Sequence, residues 1–349
     1  FKSCSSLTSL TFGSDFRMDQ VTSSYEIFSS CSALRYIDFF ASNDTDAITA
    51  VDRTSNMAMF QGVPATTVIY LPHGSQEVTD AQNVVYSYGG DENDLRCPEY
   101  YSEDRTDIEL PYDFKTNSAI YQRTMTNSYG SVILPYAFTT NDNIQAYTLD
   151  EEHKDYMYFK DAATVPAHTP FAFKKLASGN ANFTMTDADD NFGITVYATH
   201  TTHPDEESRI GNDTIVGAPY STNTNLEGWT ARGYYVNQTV DNTYSGYGTL
   251  HYIAGEKFYK AGGATLTFPP HRVTFHGEWT EGDPASAGAK PAVFGSGQVV
   301  DAIEAAETRR CLREAEGIYD VTGRRQHDVR KGLNIVRMSD GSVKKIFTK

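Results

Sequence analysis

The chain has 349 residues and is 39% hydrophobic and 13% aromatic, which is enough for about two domains with buried cores. Asp and Glu outnumber Lys and Arg by 45 to 29, and the resulting charge of −16 excludes a nucleic-acid binder, because phosphate contacts need clustered cations. No apolar run reaches about 18 residues, which excludes a transmembrane helix, and four cysteines are too few for a disulfide scaffold.

The first predicted element is a repeat. Residues 1–12 (FKSCSSLTSLTF) match residues 28–39 (FSSCSALRYIDF) at five apolar positions, all with the same offset. A degenerate third copy, FQGVPATTVIYL at 60–71, follows after a somewhat longer spacing, and chance similarity of Ser-rich segments is the alternative. A single copy cannot bury its short strand, so the copies are expected to stack as a solenoid. The predicted core residues, with Cys4 and Cys31 stacked and buried, are Phe1, Cys4, Leu7, Leu10, Phe12, Phe28, Cys31, Leu34, Ile37, Phe39, Phe60, Val63, Ile69 and Leu71.

The pattern F-x-x-C-x-S-L-x-x-L of the first copy resembles the leucine-rich repeats of BspA-like surface proteins from Bacteroidetes. The resemblance implies a leucine-rich-repeat segment over residues 1–77, expected to be the C-terminal part of a longer array and closed by Leu71-Pro72-His73-Gly74. In such proteins the exposed face of the solenoid is thought to bind host or matrix partners, so the resemblance implies that role here.

The body of the chain is predicted to be β-rich. Short apolar and aromatic runs alternate with turn clusters, as in NVVYSYG (83–89), SVILPYAF (131–138) and ARGYYVNQTV (231–240), and prolines lie at the edges of several runs. The fold class is therefore mainly β, with an antiparallel β-sandwich over residues 78–285, either single or made of two sub-sandwiches. Segments such as YGSVILPYAF resemble modules of large secreted Bacteroidetes proteins, which implies a scaffold or binding domain.

Two polar clusters are candidate metal sites. Asp187, Asp189 and Asn191 alternate in DADDNFG, a spacing at which oxygen ligands can converge on Ca²⁺, but the loop does not fit an EF-hand and a polar turn is favoured. His200 and His203 have a zinc-pair spacing only on a helix, which the flanking threonines and proline oppose. No metal or cofactor is therefore predicted.

The tryptophans and carboxylates raise the question of glycan chemistry. Trp229 and Trp279 are candidate glycan-stacking residues, although burial in the core is the default for both. A glycosidase needs two facing carboxylates about 5–9 Å apart, and the acidic residues near them are Glu227, Glu278, Glu281 and Asp283. No nucleophile elbow or phosphate-binding motif is present.

The C-terminal part divides into a linker and a tail. Residues 286–316 are predicted to be a linker with one closing strand, and within it a short helix over Asp301–Glu316 and an extended segment are equal alternatives. Residues 317–349 predict a small β tail of three strands. Over residues 301–349 the 11 Lys and Arg exceed the 8 Asp and Glu, so the charge changes sign here. The tail resembles the C-terminal sorting segments of Bacteroidetes secreted proteins, through Gly317-Ile318-Tyr319-Asp320 and Lys331-Gly332-Leu333.

These observations give the hypothesis of a non-enzymatic binding or adhesion protein, extracellular or on the outer surface of a Gram-negative bacterium. Its expected partner is a host or matrix protein or a glycan. The alternatives are a glycan-active enzyme or its carbohydrate-binding accessory domain, and a structural spacer for a repeat array.

Overall fold

The computed structural model of the chain describes residues 1–17, 24–42, 59–78, 81–153, 155–199, 209–210, 213–214, 220–241, 249–262, 265–279, 288–295, 315–320, 323–326, 332–339 and 341–348. The elements within them are β-strands and one short 3-10 turn at Tyr88–Gly90. The prediction of a mainly β chain is confirmed.

The strands are numbered in chain order. The first fourteen are β1 (Ser9–Thr11), β2 (Tyr36–Asp38), β3 (Val68–Tyr70), β4 (Val84–Ser87), β5 (Leu95–Glu103), β6 (Phe114–Arg123), β7 (Tyr129–Val132), β8 (Phe138–Thr139), β9 (Ile144–Glu152), β10 (Met157–Ala162), β11 (Thr164–Val165), β12 (Phe171–Lys175), β13 (Ala181–Thr186) and β14 (Ile194–Val196). The others are β15 (Arg209–Ile210), β16 (Asp213–Thr214), β17 (Tyr220–Asn223), β18 (Thr230–Tyr234), β19 (Gln238–Asp241), β20 (Thr249–Ala254), β21 (Lys257–Lys260), β22 (Thr265–Phe268), β23 (Arg272–Gly277), β24 (Ala289–Phe294), β25 (Ala315–Tyr319), β26 (Arg325–Gln326), β27 (Gly332–Met338) and β28 (Val343–Thr348).

The first large sheet begins in the repeat region and continues into the body. Its strand order is β1-β2-β3-β4-β5-β6-β13, and β14 also pairs with β6. Strands β1 to β4 run parallel and form what we call the repeat ladder, whereas β5 is antiparallel to β4. The boundary expected after residue 77 therefore falls between two hydrogen-bonded neighbours, β3 and β4, of one sheet.

The repeat copies pair at the offsets read from the sequence. Leu10 of β1 is the partner of Ile37 of β2, and these are equivalent positions of the first and second copies. Ile37 is also the partner of Ile69 of β3, the equivalent position of the third copy. Each copy therefore contributes its own strand to the ladder, and equivalent residues lie side by side.

The repeat ladder separates two hydrophobic cores. Ile37, Ile69 and Val84 point into a cluster built from the repeat copies, whereas Tyr70 and Val85 belong to the main core of the body. Alternate residues of a strand face opposite sides of the sheet, so β3 and β4 are apolar on both faces.

The second large sheet has the order β17-β18-β23-β20-β21-β24-β10-β9-β12-β7. Its middle strand β24, Ala289–Phe294, lies in the stretch expected to be a linker and pairs parallel with β10 and antiparallel with β21. The Gly-, Ala- and Pro-rich composition predicted a linker with one closing strand, and the strand found here has Val293 and Phe294 buried.

The two large sheets share the main core. Phe173 of β12 meets Phe183 of β13 edge-on at 4.8 Å between ring centroids, and Tyr121 of β6 lies 4.1 Å from the ring of His271 beside β23. Aromatic contacts of this kind contribute stabilising free energy in addition to that of the apolar area buried from water.

The tail forms a separate four-stranded sheet of order β26-β25-β27-β28, all antiparallel. Its small core contains Val336 and Met338. It holds the three expected strands and adds the two-residue strand β26. Most of the segment expected to be a short helix, Asp301–Glu316, lies outside the described residues, and its last two residues begin β25.

Candidate functional site

The candidate binding region is the repeat segment, whose three copies differ in side-chain exposure among the described residues. Phe1 is 53% exposed, whereas Phe28 and Phe60 at the equivalent positions are 2% and 1% exposed. Leu7, Leu10 and Phe12 are only partly buried. The predicted core residues of the other copies are all buried, namely Phe28, Cys31, Leu34, Ile37, Phe39, Phe60, Val63, Ile69 and Leu71.

Cys4 corrects the prediction of two buried, stacked cysteines. Cys31 is buried, and its Sγ donates to the backbone oxygen of Phe1 at 2.9 Å. Cys4 is exposed, because among the described residues no neighbouring copy covers it. Cys4, Cys31 and Cys97 are free thiols.

The outer face of the repeat ladder, where a binding surface was expected, is largely covered by the body. Tyr70 of β3 is buried against Tyr112 and Phe114, at 5.3 and 6.4 Å between ring centroids. On β2, Tyr36 is partly buried against the same core, and on β1 the outward Thr11 is exposed. The uncovered part of this face is therefore at β1.

Polar contacts fix the ladder to the body at β2. The buried Asp38 accepts hydrogen bonds from the Tyr112 hydroxyl at 2.9 Å and from the Phe40 N–H at 2.8 Å. Burial raises the pKa of Asp38 despite these bonds, and burial together with Asp38 raises the pKa of Tyr112 to about 12. Beside them, Arg35 pairs with Asp107 and Glu109.

The outer side of β1 has no partner strand among the described residues. The Arg35 N–H donates to the Thr8 oxygen at 2.7 Å, and the Phe12 N–H donates to the Asp38 oxygen at 2.8 Å. Backbone groups alternate along a strand, so Ser9 and Thr11 direct theirs to the opposite side, where no described strand lies.

The two tryptophans lie together, around one histidine. The rings of Trp229 and Trp279 are 4.8 and 4.7 Å from that of His251. Trp229 is 3% exposed and packs over Gly277, where an added Cβ would approach it to 2.4 Å. Its faces are used in packing, so Trp229 offers no open face for a sugar.

Trp279 is partly exposed, but cations of the same chain cover it. The Nζ atoms of Lys260 and Lys290 lie 5.6 and 5.1 Å from its ring centroid, within cation–π range. Lys290 is buried and also pairs with Glu152 at 2.9 Å. The carboxylate of Glu278 accepts hydrogen bonds from the N–H and the hydroxyl of Thr249.

The Asp187 loop has the geometry of a polar turn. The Asp187 carboxylate accepts hydrogen bonds from the backbone N–H groups of Asn191 and Gly193, both at 2.8 Å, and of Asp189 at 3.3 Å. These bonds lower the pKa of Asp187. The Asp187 carboxylate thus uses three of its roughly four acceptor sites within the loop, and the side chains of Asp189 and Asn191 are exposed.

Other candidates lie outside the described residues. These are His200 and His203 of the zinc hypothesis and Glu281 and Asp283 of the glycosidase alternative. Among the described residues, no group of three or more His, Cys, Asp or Glu side chains is placed to hold a metal ion.

Sequence reasoning missed a charged cluster between the large sheets. Arg272 donates to Asp104 at 2.5 Å and to the Tyr121 hydroxyl at 3.3 Å. Burial lowers the pKa of the neighbouring Arg123 to about 10 and that of His271 to about 3. Arg123 follows the core residue Tyr121 by two positions, so the period of two could have placed it inward.

Comparison with protein-family models, with curated proteins and with solved structures finds no match for this chain. Within the part of the chain that the structure describes, no helix has the length and apolar character of a membrane span.

Proposed function

We propose that this chain is a non-enzymatic binding or adhesion protein that recognises a protein, matrix or glycan ligand. In this proposal residues 1–77 are a leucine-rich-repeat segment of the BspA-like type, and the two large sheets are a β-sandwich that packs against it. The observation that carries it is the ladder in which Leu10, Ile37 and Ile69, equivalent residues of the three repeat copies, lie side by side.

The absence of a better candidate among the described residues supports this choice. The aromatic and carboxylate groups of the glycan and calcium candidates already contact other residues of the chain. Trp229 is buried, Trp279 lies against two lysines, and the Asp187 carboxylate accepts hydrogen bonds from three backbone amides.

The proposal also places the protein outside the cell. The resemblance of residues 317–349 to sorting segments supports export, and their basic charge contrasts with the acidic body. Expression in a Bacteroidetes host with and without residues 317–349, followed by cell fractionation, tests this part. Equal amounts of both forms outside the cell would contradict a sorting role.

A binding screen on matrix proteins and glycans tests the function. The intact chain should bind at least one ligand with saturation. The absence of binding to every matrix protein and glycan tested would contradict the proposal.

A further inference from the structure

The charged cluster between the large sheets holds more positive than negative charge. Arg272 donates to the Asp104 carboxylate at 2.5 Å, and Arg105 Nε lies 3.9 Å from the same carboxylate. Arg123 lies close enough to Arg272 and Asp104 for their charges to shift its pKa. Three arginines therefore share one carboxylate, in a chain with an overall charge of −16. We call Arg105, Arg123, Arg272 and Asp104 the arginine site.

Arg123 is the arginine of this site that has no acidic partner. Its Nη1 donates to the backbone oxygen of Ser131 at 2.7 Å, and its buried Nε has no hydrogen-bond partner. Among the described residues, no carboxylate forms an ion pair with Arg123, because Asp104 pairs with Arg272 and Arg105. Burial lowers the pKa of Arg123 to about 10, which still leaves it charged at neutral pH. A partly buried charge is costly without a counter-ion, so the arginine site favours an added anion.

The unused edge of the Arg123 guanidinium has the shape that a carboxylate binds. Phe173 packs against its face, with 5.4 Å between the guanidinium carbon and the ring centroid. Gly130 lies beside Nη1, which an added Cβ would approach to 3.2 Å. The Nε and Nη2 groups donate to no described residue. These two N–H groups form the planar fork that binds both oxygens of a carboxylate.

The Asp104 carboxylate keeps one oxygen for a hydrogen-bond donor. Its Oδ1 accepts hydrogen bonds from Arg272 at 2.5 Å and from the Tyr121 hydroxyl at 3.5 Å. Its Oδ2 accepts no hydrogen bond from the described residues, although Arg105 lies nearby. An ionised carboxylate is only an acceptor, so Oδ2 suits a ligand hydroxyl. The arginine site therefore combines a fork for an anion with an acceptor for a hydroxyl group.

The backbone around the site is held in an unfavourable conformation. Arg105 and His271 have φ values of 65° and 59°, in the left-handed region that favours glycine. Arg105 directly follows Asp104, and His271 directly precedes Arg272, so both members of the ion pair adjoin such a residue. Backbone strain of this kind collects at ligand sites, where the surrounding structure holds it in place. It supports a binding role for the arginine site.

We propose that the arginine site binds a sugar acid, with the carboxylate on Arg123 and a neighbouring hydroxyl on Asp104. One uncompensated charge matches a single carboxylate, whereas the acidic remainder of the chain repels polyanions. A carboxylate on a protein side chain has methylene groups next to it and no hydroxyl for Asp104. The side chain of Arg105 is 79% exposed and attracts the anion at the rim. The inference rests on the proposed binding function and names the class of its glycan ligand.

Titration of the intact chain with sodium D-glucuronate, followed by isothermal titration calorimetry in low-salt buffer, tests the inference. We expect saturable binding of one glucuronate per chain, at least tenfold tighter than that of D-glucose, which lacks the carboxylate. Sodium sulfate and a hexaglutamate peptide are the other arms, and each should bind at least tenfold more weakly than glucuronate. Bound glucuronate should also raise the melting temperature of the chain.

Protein variants locate the site. Arg123→Lys keeps the charge but loses the planar fork, so glucuronate binding should weaken at least tenfold. Arg96→Lys is the matched control and should leave binding unchanged, because Arg96 also lies over an aromatic ring but is paired with Asp94. Arg105→Ala changes an exposed side chain, so it should fold even if Arg123→Lys does not, and it should weaken binding two- to threefold. Circular dichroism melting curves without glucuronate check the folding of all three variants.

Four results would overturn the inference. They are the lack of saturable glucuronate binding, equal binding of glucose, equal binding of sulfate or the acidic peptide, and binding that neither Arg123→Lys nor Arg105→Ala weakens. A chain that binds another ligand in the screen of matrix proteins and glycans, but not glucuronate, would lose only this inference. No binding in either experiment would contradict the proposed function as well.

Discussion

The two ends of the repeat ladder have the same kind of sequence and opposite surroundings. At the β3 and β4 end, the apolar side chains of both faces are buried, one face against the other copies and one against the body. At the β1 end, Leu10 is partly buried and Thr11 is exposed. The difference arises from the neighbours each strand has, and not from the residues of the repeat itself.

The parallel repeat ladder joins the antiparallel body at β4. This junction needs no linker, because β4 pairs with β3 on one side and with β5 on the other. Asn83, directly before β4, supports this step, since its side chain bonds the backbone of both Ala65 and Tyr101. Buried polar groups with full sets of partners fix a register.

The largest expected effect is the difference between Ile69→Ala and Leu10→Ala, which shorten equivalent side chains at the two ends. Ile69 is fully buried, so its loss should cost about 2–5 kcal/mol of stability, as typical core truncations do. Leu10 is partly exposed already, and we expect about 1 kcal/mol. Urea denaturation followed by tryptophan fluorescence measures both, and equal losses would contradict the contrast between the ends.

The second largest expected loss of stability is at the contact between the repeat ladder and the body. Tyr112→Phe removes the hydroxyl that donates to the buried Asp38 and should destabilise the protein by about 1–3 kcal/mol. Tyr36→Phe is the matched control, because Tyr36 is also partly buried at this junction and should lose less than about 0.5 kcal/mol. The same denaturation assay applies, and a Tyr36→Phe effect as large as that of Tyr112→Phe would remove the special role of Asp38.

The pH dependence of stability tests the burial of Asp38 directly. Burial raises the pKa of Asp38 in the folded state, so the folded chain holds this proton more tightly than the unfolded chain. Its contribution to stability is therefore fully present below the ordinary pKa of about 4 and is lost as the pH rises through the raised value. We expect the wild type to gain stability relative to Asp38→Asn when the pH falls from 7 to 4, and a difference that is constant with pH would contradict the raised pKa.

The sequence predicted the parts of the fold that are periodic. The spacings between the three copies are the spacings at which Leu10, Ile37 and Ile69 pair. It could not show that Tyr70 faces a second core, because nothing in the repeat marks the outer face as covered. The composition around Ala289–Phe294 predicted a linker with one closing strand, but it could not show that this strand lies in the middle of a large sheet, between β10 and β21.

The candidate site was harder to predict, because the exposure of a side chain depends on which other residues pack against it. Equivalent sequence positions made Cys4 and Cys31 look alike, and the structure separates them into an exposed and a buried thiol. The charged pair of Asp104 and Arg272 joins residues 168 positions apart, a distance at which a single sequence gives no pairing signal. Local patterns therefore predicted the ladder, whereas the exposure of each side chain needed the three-dimensional structure.

The smallest expected effect lies in an exposed turn of the body, which extends the contrast between covered and open positions beyond the ladder. Asp187→Ala removes the acceptor for three backbone amides, so hydrogen exchange at Asn191 and Gly193 should become faster while global stability changes least among these variants. The pKa of Asp187 is lowered by these bonds, so its contribution to stability is present above the ordinary pKa of about 4 and is lost as the pH falls through the lowered value.

Asp189→Ala is the control, because its side chain is exposed and its removal should leave hydrogen exchange at these amides unchanged. A rise in melting temperature on adding Ca²⁺ that Asp187→Ala abolishes would instead show that the loop is a calcium site. The Asp187 carboxylate would then bind the ion as well as accept the amide hydrogen bonds.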